Sequence, residues 1–119
     1  MDSLDALTKF KELWGYSLII IGSKDLPNYL RYSIGEEILK ELKLVGYLID
    51  HANKQGKQYE RVKSAREADR LFQQVKFDFE LLLYHKAIAK KRGHLYTLTA
   101  ELGRMLGGWL NYLTSNGER

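Results

Sequence analysis

The chain has 119 residues, no cysteine, a single proline, 45% hydrophobic and 29% charged residues, and a net charge of +4. A chain of that length makes one domain that buries roughly 65% of its unfolded surface, and this composition belongs to a compact helical protein rather than a disordered one. The lack of cysteine excludes disulfides, thiol nucleophiles and thiolate metal sites together, and fits a reducing cytoplasm.

No stretch approaches the ~18 apolar residues of a membrane span; the nearest, residues 13–21, is half that. The acidic start, Met1-Asp2-Ser3-Leu4-Asp5, argues against a secretory signal. Charge is unevenly placed. Residues 1–53 hold six Lys/Arg against eight Asp/Glu, residues 54–92 hold eleven against five, and residues 93–119 hold two against two. The middle third is the basic part and the place to look for polyanion binding. A solvated helix face is the plainer account of the same charges.

Residues 4–22 are expected to form a first helix, because Leu7, Phe10, Trp14, Leu18 and Ile21 recur at three- and four-residue spacing. Its end, Leu18-Ile19-Ile20-Ile21, is apolar all round. That pattern fits either a central core segment or a face between subunits. Gly22 fits the residue just past a helix end, and Pro27 suits the first turn of the next helix. Ser33 and Glu36 have capping-box spacing, so the second helix, about residues 28–53, begins between Pro27 and Ser33. Ile34, Ile38, Leu42, Val45, Ile49 and Ala52 form its stripe. Arg31 beside Tyr29 and Tyr32 either caps the end of a bundle or stacks on a base.

After the polar loop at residues 53–58, a third helix is expected to about residue 89, with Val62, Ala65, Ala68, Phe72, Val75, Phe79 and Leu82 on its buried side. Lys63, Arg66 and Arg70 repeat at three and four and make a basic ridge on the other side, with Lys76 further along. Phe77, Leu81, Leu83 and Tyr84 add apolar character on further faces, as at a subunit contact. Lys86, Lys90, Lys91 and Arg92 form a second basic cluster, where positive charge at a helix C-terminus is stabilising and phosphate binding is the sharper reading. These eight cations are the candidates for nucleic-acid contact.

The fourth helix, residues 94–114, carries the stripe Leu95, Leu98, Leu102, Met105, Leu106, Trp109 and Leu113. It also holds Gly103, Gly107 and Gly108. Each costs roughly 0.5–1 kcal/mol in a helix interior. Gly103 and Gly107, four apart, with Thr99 one turn earlier, make a smooth strip that another helix could approach closely. Four periodic segments with short connections give an all-α fold, an up-down-up-down antiparallel four-helix bundle in a single domain.

Two strings carry a family resemblance. Glu101-Leu102-Gly103-Arg104-Met105-Leu106-Gly107-Gly108-Trp109 resembles the C-terminal signature of the accessory variability determinant proteins of diversity-generating retroelements. Leu26-Pro27-Asn28-Tyr29-Leu30-Arg31-Tyr32-Ser33-Ile34-Gly35-Glu36 is similar to the turn that opens their second helix. They sit in a wider four-helix-bundle group that includes proteins encoded by ribosomal RNA intervening sequences. The resemblance implies a barrel-like homopentamer that binds a reverse transcriptase, presents a basic surface to RNA or DNA, and supports mutagenic copying of template RNA into cDNA without catalysing it. Gly103, Gly107, Gly108 and Trp109 match its structural signature. The family carries more arginine in the third helix; here Asp78 and Glu80 intervene and thin the basic surface. The alternative is an intervening-sequence-type bundle with an RNA-associated or structural role and no retroelement partner.

Catalytic motifs are missing. None of His51, His85 and His94 belongs to H-E-x-x-H or to a Glu-x-x-His pair of a di-iron bundle. No Walker loop or G-x-S-x-G occurs. No arginine stands four to six residues before a histidine, as in the small helical ribonucleases of the HEPN type. Glu36/Glu37 and Asp78/Glu80 read as surface acids, and Glu101 and Arg104 as a local pair. No enzyme, metal or cofactor is expected.

Overall fold

A computed structural model describes residues 3–85 and 90–117. The regular elements among the described residues are helical: α1 (Ser3–Ile21), α2 (Asn28–Leu30), a π turn (Arg31–Gly35), α3 (Glu36–Lys54), α4 (Gln58–Leu83) and α5 (Arg92–Gly117). α1 packs against α3 and α5, and α4 packs against the same two helices, so the four long helices close around one core. The molecule measures 50 × 23 × 19 Å. Among the described residues, no helix is long and apolar enough to cross a membrane.

The core comes from the expected stripes of three helices. Ile38, Leu42, Val45, Ile49 and Ala52 of α3 are buried, as are Val62, Ala65, Ala68, Phe72, Val75, Phe79 and Leu82 of α4. In α5, Leu95, Leu98, Leu102, Leu106, Trp109 and Leu113 are buried, and Met105 packs at the margin. Burying each large side chain stabilises by about 1.5–3 kcal/mol. α1 is rotated from expectation. Its innermost positions are Ala6, Leu13, Ser17 and Ile20, with Ile21 buried beside them. Leu7, Phe10 and Trp14 are only half-buried, and Leu18 and Ile19 are exposed. Ala6 and Ser17 are small, which lets this face of α1 sit deep among its neighbours. The Ser17 hydroxyl donates to the Leu13 carbonyl at 2.7 Å, so its burial leaves no bond unmade.

Polar contacts join three of the four neighbouring pairs. Lys9 of α1 meets Glu101 of α5 at 2.6 Å. His51 of α3 shares a 2.9 Å hydrogen bond with the Ser64 hydroxyl of α4. Gln58 Nε2 of α4 donates to the Leu113 carbonyl of α5 at 2.8 Å. α4 stops at Leu83, before the expected end near residue 89. There the Tyr84 and His85 amides bond three residues back, to Leu81 and Leu82, and tighten the last turn.

The entry to α3 also differs from expectation. Ser33 is not the residue of a capping box: its hydroxyl donates back to the Tyr29 and Leu30 carbonyls. The chain is already helical from Asn28, and the Glu36 amide reaches the Arg31 carbonyl five residues back. Gly22 follows α1 without a left-handed backbone, since no described glycine has positive φ. The end of α1 is held instead by Arg31. Its Nε donates to the Ile21 carbonyl at 2.9 Å and its Nη2 to those of Ser23 and Leu26 at 2.6 and 3.2 Å. Its Nη1 donates to Asn28 Oδ1 at 2.7 Å. One guanidinium thereby satisfies the open Ile21 carbonyl at the end of α1 and two carbonyls of the turn after it, and places positive charge where the helix dipole favours it. Of the two roles open to Arg31, this is the bundle-end cap.

Candidate nucleic-acid interface

α4 turns its outer face to solvent along its whole length. At 100° per residue, Lys63, Arg66, Arg70, Phe77 and Leu81 fall within about 60° of one another around the helix. Lys63, Arg66 and Arg70 are exposed, Gln73 and Gln74 follow, and Phe77, Leu81 and Tyr84 are exposed beyond them. The face thus runs from cationic to apolar. Among the described residues, Lys63 and Arg66 carry no ion pair. Arg70 is bound to Glu67 on the same helix. That hydrogen bond holds the Glu67 carboxyl below the usual carboxylate range and raises Arg70 further. Of the residues expected at a subunit contact, Leu83 is buried in the core, and the other three are exposed.

The remaining cations do not extend the ridge. Lys76 is half-buried on the side that meets α5, with its Nζ 3.8 Å from where a Gly103 Cβ would stand. Lys86 lies outside the described residues. Lys90 is exposed and Lys91 half-buried, just before α5 rather than at the end of α4. Arg92 opens α5, and its Nη2 donates to the Leu83 carbonyl at 2.6 Å, capping α4. Thirteen residues of helix separate Arg70, the near end of the ridge, from that cap at Leu83, about 20 Å at 1.5 Å per residue, so the two clusters are separate patches.

The glycine signature divides in the same way. Trp109 is fully within the core. A Cβ on Gly103 would meet Phe72 at 3.7 Å, an ordinary contact, and one on Gly107 would meet nothing within 4 Å. Gly108 is exposed. Inside this chain the strip is open rather than tightly covered. Glu101 pairs with Lys9 across the helices instead of with Arg104; the Lys9 hydrogen bond lowers its carboxyl pKa.

Three features escape a reading of the sequence. Glu37 and Glu41 on α3 and Asp78 on α4 bring carboxylate oxygens within 4.8 Å of one another. Burial, and next the Asp78 charge, push the Glu41 carboxyl up to about 7. Such an all-oxygen set has the donor chemistry of a hard cation, and crowded acids on a helical surface occur equally without one. The i, i+4 spacing of Glu37 and Glu41 was the one available signal; nothing in the sequence pairs them with Asp78. The second is Gly46 of α3, where an added Cβ would lie 2.4 and 2.5 Å from atoms of the Phe10 ring. The third is a groove between α1 and α3 lined by Phe10, Trp14 and Tyr47.

Compared with protein-family models, with curated proteins and with solved structures, the chain gives no significant match.

Proposed function

We propose that this chain is a non-catalytic, nucleic-acid-binding accessory protein. The observation that carries the reading is the outer face of α4, where exposed Lys63, Arg66 and Arg70 form one ridge and exposed Phe77, Leu81 and Tyr84 follow on the same side. The cationic half suits phosphates, whose neutralisation releases counterions and needs no sequence code. The apolar half suits a protein partner or a further copy. A ridge this short binds weakly by itself, and repetition around a ring would turn it into avidity.

The two strings at Leu26 to Glu36 and Glu101 to Trp109 give this reading its biological form. On their resemblance, the protein serves a diversity-generating retroelement in the cytoplasm. It assembles as a homopentamer, binds the reverse transcriptase, and supports mutagenic copying of template RNA into cDNA. The helix order is read as up-down-up-down and antiparallel. Its support is that Lys9 of α1 meets Glu101 of α5 and, two turns further along α1, Tyr16 meets His94, so that residue numbers fall on one helix as they rise on its neighbour.

A tagged pull-down from native cells, identifying both protein and RNA, tests the assignment. Reverse transcriptase with one dominant non-coding RNA is the expected result. Ribosomal RNA, or no partner besides the protein itself, would overturn the retroelement role and favour an intervening-sequence-type bundle.

A further inference from the structure

The groove between α1 and α3 has a volume of about 390 Å³, within the range of small-ligand sites. Phe10 and Trp14, one turn apart on α1, are nearly parallel, with ring centroids 6.4 Å apart and planes 26° apart. The tip of the Phe10 ring sits against α3 in the space that Gly46 leaves by having no side chain. Tyr47 is 61% exposed on the facing wall, and Lys43 Nζ is 5.7 Å from its ring centroid. Lys11 is exposed on the α1 rim. Asp50 is the acid among the lining residues, and Lys54 neutralises it at 2.9 Å. The groove therefore combines an aromatic lining with unbalanced positive charge.

We infer that this groove docks one unpaired base of a single-stranded nucleic acid. The base stacks against Trp14 and Tyr47, and its flanking phosphates meet Lys11 and Lys43. An aromatic platform beside cations is how proteins hold single strands without reading sequence. A base inside a duplex is already stacked and cannot enter. The inference takes its ligand class from the nucleic-acid reading above, but it uses none of the α4 ridge, which belongs to another helix.

Tryptophan fluorescence of the full chain provides the test. Trp109 is buried in the core and Trp14 is half-buried in the groove, so a stacked base quenches Trp14. The probes are a short oligo(rA), a short RNA duplex, and heparin as a polyanion without bases. Oligo(rA) is expected to quench, and heparin and duplex are not. Tyr47→Ala, at an exposed position, is expected to weaken oligo(rA) binding about tenfold, within the range for loss of one stacking partner, with melting unchanged; Tyr47→Phe is expected to retain it. Wild-type affinity in Tyr47→Ala, or equal quenching by heparin, overturns the inference. Emission that follows protein concentration and ignores oligo(rA) assigns the groove to a second copy and also overturns it. Duplex binding that needs Lys63, Arg66 and Arg70, without quenching by oligo(rA), sinks the groove and leaves the ridge. Quenching by oligo(rA) that survives loss of all three cations keeps the groove, and duplex affinity that survives it as well sinks the ridge.

Discussion

Gly46 on α3 and Gly107 on α5 both sit mid-helix among apolar neighbours, and they differ in what stands across from them. The space at Gly46 is filled by the Phe10 ring, whereas that at Gly107 is empty to 4 Å. Arg31 and Arg66 repeat the contrast for charge. Arg31 is consumed by three carbonyls and an amide oxygen, while Arg66 lies exposed on α4. One member of each pair builds the fold, and the other is left over by it. Residues the fold does not use are where function is to be sought; residue type alone does not separate the two.

The largest expected effect breaks the charge pair. Arg31→Ala is expected to lower stability by about 2 kcal/mol, since it strips several charge-assisted hydrogen bonds from the end of α1. Arg31→Lys should recover only part, because an ammonium cannot span the same acceptors. Arg66→Ala should stay within about 0.5 kcal/mol of the parent. Urea melts of the three variants decide this, and equal losses at both arginines would erase the contrast.

The glycine pair predicts opposite signs. Gly46→Ala must evict Phe10, and is expected to cost about 1–2 kcal/mol even after the gain in helix propensity. Gly107→Ala meets nothing and should gain about 0.5–1 kcal/mol. Gly107→Leu sharpens the point. Its Cβ would meet nothing within one chain, so a loss of assembly without loss of monomer stability would mark a close approach by another copy. If both stability and assembly survive, the strip has no packing role.

A smaller effect comes from the acids between α3 and α4. The Glu41 carboxyl is pushed up to about 7, above its unfolded value near 4.3. The folded state therefore holds the proton more tightly. That contribution is fully present below about pH 4.3 and is lost as pH rises through about 7. The residue keeps part of its surface in water, which leaves about 1 kcal/mol. Thermal melts of the parent should fall slightly from pH 5 to pH 8, and Glu41→Gln should flatten the trend. A slope that Glu41→Gln leaves unchanged would assign it to other groups.

The sequence pattern carried the helices and three of the four core stripes, because period-3.6 burial is written locally in Leu42–Val45–Ile49 or Leu98–Leu102–Leu106. It misplaced the face of α1, where Phe10 and Trp14 look like core but border a groove and small Ala6 and Ser17 go inside. Gly46 was invisible because its need depends on Phe10, a different helix away, while the glycine-rich signature drew notice to positions with space around them. The meeting of Glu37, Glu41 and Asp78 was hidden for the same reason. The ridge Lys63–Arg66–Arg70 was legible because it lies on one helix. The second cluster read as the C-terminal end of α4 only while α4 was expected to reach residue 89; Lys90 and Lys91 lie just before α5 and Arg92 opens it.

The most direct test of the nucleic-acid reading is RNA affinity measured across a salt series for the parent and for the Lys63→Ala, Arg66→Ala, Arg70→Ala triple variant. Phosphate contacts at the ridge predict an affinity that falls steeply with salt in the parent, with a log–log slope shallower by about 2–3 in the variant. A parent affinity that stays flat from low to physiological salt, or a variant with the parent's slope, would contradict it.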